Sequence, residues 1–152
     1  MPFGPAPVPL VYLDDLQETA FEGGWGPLGK HGWHYGGKGE HECPRVDGIK
    51  VAHSLFPHTK ENGHSYVTYR LNGQYTTFKA TVYNESDKFL KFEVRGDDIL
   101  IWTSKETNKI GSSEICSVSV KEVQTLQLRI YCRGGWLTRL RLVDRPLLVD
   151  GR

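Results

Sequence analysis

Side chains that can do chemistry crowd into two stretches of this sequence. All six histidines (His31, His34, His41, His53, His58 and His64) fall between positions 31 and 64, together with Trp33, Tyr35 and Cys43. Imidazole with thiolate is the usual zinc donor set, but these spacings match no zinc motif and there is no paired Cys-x-x-Cys. Gly36-Gly37-Lys38-Gly39 has the glycines of a phosphate loop without its Gly-Lys-Ser/Thr ending or a preceding core strand. No nucleophile elbow or pair of catalytic carboxylates stands out, so catalysis is not expected. The second stretch is the C-terminal quarter, where Arg129, Arg133, Arg139, Arg141, Arg145 and Arg152 face few acids. It predicts a basic edge that could dock an acidic protein partner or an anionic glycan.

The elements that must position these residues are strands. From Ser65 to Val94, apolar and polar residues alternate in three runs, each giving one buried and one wet face. Asn72-Gly73 tolerates the positive φ of a tight type I′ turn between the first two runs, and Asn84 to Asp87 supply a second turn. The pattern predicts a three-stranded antiparallel meander. Further strands are expected at Val8–Leu13, Ile49–Val51, Ser54–Phe56, Ile99–Thr103, Trp136–Leu142 and Leu147–Val149. Ile115–Val120 and Thr125–Cys132 are expected to form a hairpin around Lys121-Glu122-Val123. Glu22 to Asp47 is a long glycine-rich loop, and loops of that length in a compact domain tend to be functional. Many short strands and no convincing helix predict an all-β, jelly-roll β-sandwich of two antiparallel sheets.

Composition narrows the partners. The 152 residues carry a net charge of +1, which offers no global field for nucleic acid or an anionic membrane. No apolar run approaches the ~20 residues of a bilayer span. The N-terminus lacks a basic leader region and is broken by prolines, so it does not read as a signal peptide. One domain is expected over residues 8–149, behind a flexible tail at 1–7. A cytoplasmic chain and a module of a secreted protein both remain open. The three cysteines, Cys43, Cys116 and Cys132, cannot all pair. Cys116 shares parity with Val118 and Val120, and Cys132 with Leu126, Leu128 and Ile130. Both read as buried free thiols, with a Cys116–Cys132 disulfide across the hairpin as the alternative in a diagonal register.

Several motifs carry a family resemblance. Tyr12-Leu13-Asp14-Asp15-Leu16, Gly24-Trp25-Gly26-Pro27 and the run from Tyr69 through Asn72-Gly73 to Val82 stand in family order. Phe92-Glu93-Val94-Arg95-Gly96-Asp97, Val118-Ser119-Val120 and Thr125-Leu126-Gln127-Leu128 continue it. Together they resemble the NPCBM family, whose name means novel putative carbohydrate-binding module. The resemblance spans roughly Val8 to Val149. It implies a galactose-binding-domain-like sandwich that recognises a glycan at one end without catalysis. Such modules are normally appended to a parent multidomain protein, and the resemblance implies no cofactor beyond room for a structural calcium ion. In Ser54-Leu55-Phe56-Pro57-His58-Thr59 the family's histidine is kept as His58, and in Cys132-Arg133-Gly134-Gly135-Trp136 only its tryptophan is kept.

A pyranose offers an apolar face for stacking and hydroxyls for planar polar groups. The candidate ligand-binding residues are therefore Trp33 and Trp136, each preceded by glycine, with Tyr35, His58, His64 and Arg139 around them. Terminal galactose or N-acetylhexosamine is the expected sugar class. The alternative reading is a protein-interaction module on the same sandwich that no longer binds sugar.

Overall fold

The computed structural model describes residues 10–22, 29–30, 45–46, 49–50, 53, 55–56, 58–59, 64–84, 89–107, 109, 111–133 and 138–150. The first strand, β1 (Leu10–Tyr12), leads into a 3-10 turn at Leu13–Asp15 and then β2 (Ala20–Glu22). Five two-residue strands follow: β3 (Gly29–Lys30), β4 (Arg45–Val46), β5 (Ile49–Lys50), β6 (Leu55–Phe56) and β7 (His58–Thr59). The long strands are β8 (His64–Arg70), β9 (Tyr75–Asn84), β10 (Phe89–Gly96), β11 (Ile99–Thr103) and β12 (Ser113–Ser119). β13 (Thr125–Arg133) and β14 (Thr138–Asp150) complete the chain. Among the described residues the only helical element is the 3-10 turn, and no helix is long and apolar enough to cross a membrane.

Two antiparallel sheets face each other. One runs β12-β9-β14-β6-β3, with β1 and β7 also on β14, and the other runs β11-β10-β13-β8-β2. The expected sandwich is therefore present, but its wiring differs from the expected meander. β8, β9 and β10 are consecutive in sequence and do not pair with one another. β8 and β10 flank β13 in one sheet, while β9 lies in the other between β12 and β14. Alternation fixes which face of a strand is buried; it does not fix which strand is its neighbour.

The Asn72-Gly73 turn does form, with φ of 55° and 67° and a bond from the Gln74 N–H to the Leu71 carbonyl. It carries the chain across the sandwich instead of closing a hairpin. The backbone N–H groups of Leu71 and Asn72 donate to the Gln124 carbonyl, and that of Gly73 donates to the Val123 carbonyl. The expected hairpin of β12 with β13 is corrected in the same way, since β12 pairs with β9 and β13 pairs with β8 and β10. The Cys116–Cys132 alternative goes with it, because the two strands lie in opposite sheets. Cys116 is a buried free thiol in register with Ala80, whereas the Cys132 side chain lies outside the described residues.

A true two-residue hairpin joins β10 and β11, where Gly96 faces Ile99 across Asp97 and Asp98, both at positive φ. The Asp97 carboxylate accepts from the backbone N–H groups of Gln124 and Thr125, which ties this turn to the start of β13. The two strands expected at Trp136–Leu142 and Leu147–Val149 are one strand, β14. Its register on β9 jumps from Val143↔Thr81 to Leu147↔Lys79, and the bulge absorbs Pro146, which has no N–H to give a ladder.

Both inner faces supply the core. Val67, Tyr69, Phe92, Val94, Leu126, Leu128 and Ile130 come from one sheet, and Phe78, Ala80, Val82 and Cys116 from the other. Trp102, half-buried, packs edge-on against Phe92 with ring centroids 6.2 Å apart. Polar alternates of the five-stranded sheet face outward.

Candidate functional site

One end of the sandwich gathers three of the residues singled out from the sequence. β7 is only two residues long, so its position depends wholly on its neighbours. It pairs with β14 in the register Thr59↔Thr138 and His58↔Arg139, and it also abuts β8 and β13. The backbones of His58 and Arg139 are thus directly opposite. His64 opens β8 at the same end, exposed, and pairs in register with Tyr131. The His64 and Tyr131 rings lie 5.6 Å apart, tilted by 32°. Trp33, Tyr35 and Trp136 lie outside the described residues; in sequence, Trp136 falls between β13 and β14, the two strands on which β7 rests. The described side chains at this rim, His64 and Tyr131, offer ring faces and hydrogen-bonding groups of the kind that hydroxyl-rich ligands require.

From that rim a polar lattice runs over the outer face of the five-stranded sheet. The ammonium of Lys91 sits 4.8 Å from the Tyr131 ring centroid, completing a row His64–Tyr131–Lys91 across three strands. In the next row, Tyr66–Arg129–Glu93, the Arg129 guanidinium lies 5.9 Å from the Tyr66 ring centroid. The Tyr66 hydroxyl donates to Glu22 at 3.0 Å. Glu93 is only 5% exposed and collects most of the donors. Arg95 gives it two bonds at 3.2 and 3.0 Å, the Tyr131 hydroxyl one at 3.2 Å, and the Lys91 ammonium stands 3.4 Å away. Burial alone would raise the Glu93 carboxyl, but hydrogen bonds from Arg95 and Tyr131 and the Arg95 charge outweigh it and hold the group below the usual carboxylate range. Motif reasoning passed over this lattice, although its signal was legible as the wet face of three alternating strands.

The basic edge expected from the C-terminal arginines is split by the fold. Arg129 and Arg133 lie on β13 in one sheet, while Arg139, Arg141 and Arg145 lie on β14 in the other, where β14 is an interior strand. Arg129 is already engaged by Gln127 and Tyr131.

The model of the NPCBM/NEW2 domain matches residues 10–137. Solved structures with the same fold include the CBM51 module of a Clostridium perfringens GH95 protein in complex with methyl-galactose. It is 20% identical with a TM-score of 0.70, and the match covers 91% of this chain and 99% of that one. Another is the CBM51-2 and INT domains of Clostridium perfringens ZmpB in complex with GlcNAc, at 16% identity and TM-score 0.70, covering 95% and 32%. The tandem CBM51 modules of a Streptococcus pneumoniae family 98 glycoside hydrolase match at 20% identity and TM-score 0.72, covering 94% and 47%. The chain thus spans about half of that tandem-module chain. No curated protein matches the sequence.

Proposed function

Because the chain belongs to the NPCBM/NEW2 domain family, we propose that this non-catalytic carbohydrate-binding module recognises terminal galactose or N-acetylhexosamine at the β7 end of the sandwich. The observation that carries the placement is the strand register. It brings His58 opposite Arg139 and sets β7 beside the β8–β13 pair that bears His64 and Tyr131. In this reading Arg139 and His58 bond the sugar hydroxyls, and His64 borders the site. Trp33, Tyr35 and Trp136 supply ring faces for stacking. The ligands seen in the solved relatives, methyl-galactose and GlcNAc, support the sugar class. Glycan-binding relatives occur within multidomain proteins, and a parent chain carrying a catalytic domain is the corresponding expectation here.

The test is a glycan array followed by calorimetry with methyl-galactoside and GlcNAc. A selective hit weakened at least ten-fold by Arg139→Ala and by Trp136→Ala, with Trp33→Ala and Trp136→Ala still folded, is the expected result. A blank on folded protein overturns the sugar reading. Unfolding of either tryptophan variant removes that residue from the site and assigns it to packing.

A further inference from the structure

On the outer face of the five-stranded sheet, positive charge outruns the carboxylates that meet it. Lys91 and Arg95 flank Glu93 along β10, and Arg129 stands opposite Glu93 on β13. The single Glu93 charge is divided between the first two. Its Oε1 takes both Arg95 bonds, and its Oε2 stands 3.4 Å from the Lys91 ammonium. Arg129 receives none of it. The Arg129 Nε donates to the Gln127 Oε1 and its Nη1 to the Tyr131 hydroxyl, while the Tyr66 ring lies 5.9 Å away, so its partners among the described residues are all neutral. Glu22, on the far side of Tyr66, accepts from the Tyr66 hydroxyl. Arg70 and the Asp97-Asp98 turn lie at the other end of the face, where Arg70 pairs in register with Thr125 and Asp97 holds the Thr125 N–H. A half-buried guanidinium with neutral partners keeps its full charge for an anion, and bonds between charged groups are about twice as strong as neutral ones.

The spacing of the cations suits one small anion. Lys91 pairs in register with Tyr131, and Arg129 with Glu93, so Lys91 and Arg129 are diagonal neighbours on adjacent strands. Diagonal positions of an antiparallel pair stand about 7–8 Å apart, within joint reach of two long side chains. Both side chains also converge on Tyr131. The Lys91 ammonium lies 4.8 Å from its ring centroid, and the Arg129 Nη1 donates to its hydroxyl. On the other side of the same ring, 5.6 Å away, is His64, which borders the sugar site. The cation pair therefore begins one side chain away from the β7 rim.

We infer that Lys91 and Arg129 hold an acidic substituent, a sulfate ester or a carboxylate, on the glycan whose terminal sugar occupies the β7 rim. The ligand class is then an acidic glycan, and the pair on β10 and β13 is its specificity determinant. The inference rests on the sugar reading of the rim for its ligand and on the charge arrangement for its place. Either substituent presents planar or tripodal oxygens to a guanidinium and an ammonium together, and leaves the existing Glu93 bonds of Arg95 undisturbed.

The test titrates the full chain by calorimetry with N-acetyllactosamine and with its sulfated and sialylated forms, at low and at physiological salt. At least one acidic form is expected to bind about ten-fold tighter than the neutral one, with a gain that shrinks as salt screens the charges. The acidic form that gains tells sulfate from carboxylate. In Arg129→Gln and in Lys91→Gln the gain should fall below about three-fold with neutral binding unchanged and the circular dichroism of the native sheet retained. Arg129→Lys, which keeps the charge, should restore part of it. Equal affinity for neutral and acidic forms overturns the inference and leaves the sugar site standing. An acidic preference unchanged in both glutamine variants also overturns it and moves the anion elsewhere. Binding of an acidic form alone, lost in both variants, supports this pair and sinks the neutral-sugar reading, whereas no binding of any form overturns both.

Discussion

At the scale of single residues, burial and neighbouring charge decide behaviour that residue type leaves open. Cys116 was legible as a core thiol from its parity with Val118 and Val120, and it is fully buried. Burial, and after it the Glu114 charge, pushes its pKa up to about 12. The neutral thiol is therefore favoured in the native state. Its contribution to stability is complete below the ordinary thiol value of about 8.5 and is lost as pH rises from there towards 12. Peptide mapping after maleimide treatment at pH 8 is expected to leave Cys116 unmodified in folded protein and fully labelled in denaturant. Labelling of native Cys116 at the denatured rate would show that the β9–β12 pair opens readily. Glu93 shows the opposite balance, because several donors converge on one buried carboxylate and hold it below the usual carboxylate range.

At the scale of elements, turn chemistry is local and strand partnership is not. Asn72-Gly73 was readable as a turn, and both residues do adopt positive φ. A Cβ at Gly73 would stand 3.0 Å from the Gln124 Nε2 and would have to be held at a φ of 67°. Gly73→Ala should cost about 1–2 kcal/mol, the ordinary penalty for a left-handed residue with a side chain. Denaturant titration measures it, and a loss below about 0.5 kcal/mol would mean that the turn relaxes without strain. The same turn was misread as a hairpin because its sequence carries no record of Val123 and Gln124, the residues its N–H groups bond. β6 and β7 are too short to assert a period, so their place on β14 was out of reach of any pattern.

At the scale of the whole molecule, the ends of the chain close the fold on each other. Leu10, Val11 and Tyr12 pair with Val149, Leu148 and Leu147, and the 3-10 turn that follows rests against β14. Deleting residues 1–12 would strip these ladder bonds and remove the Tyr12 ring that stacks on His53. A loss of about 2 kcal/mol should lower Tm by about 4–8 °C for a chain of this size, read by thermal unfolding followed in the near-ultraviolet. An unchanged Tm would show that β1 contributes nothing to closure.

The amino-acid sequence by itself determined the alternation of its long strands, hence the buried faces, the core set from Val67 to Ile130 and the sandwich class. It also carried the ordered motifs of the family. Each of these depends on neighbours within a few residues or on fixed order along the chain. Tertiary structure alone decided which strands pair, so it also decided that β8, β9 and β10 divide between two sheets and that the arginines of β13 and β14 separate. It set His58 against Arg139 and brought His53 to Asp14 across 39 positions. The physical reason is that a strand's faces follow from its own period, while its edges are satisfied by any backbone that arrives, and only the packed whole selects which one does.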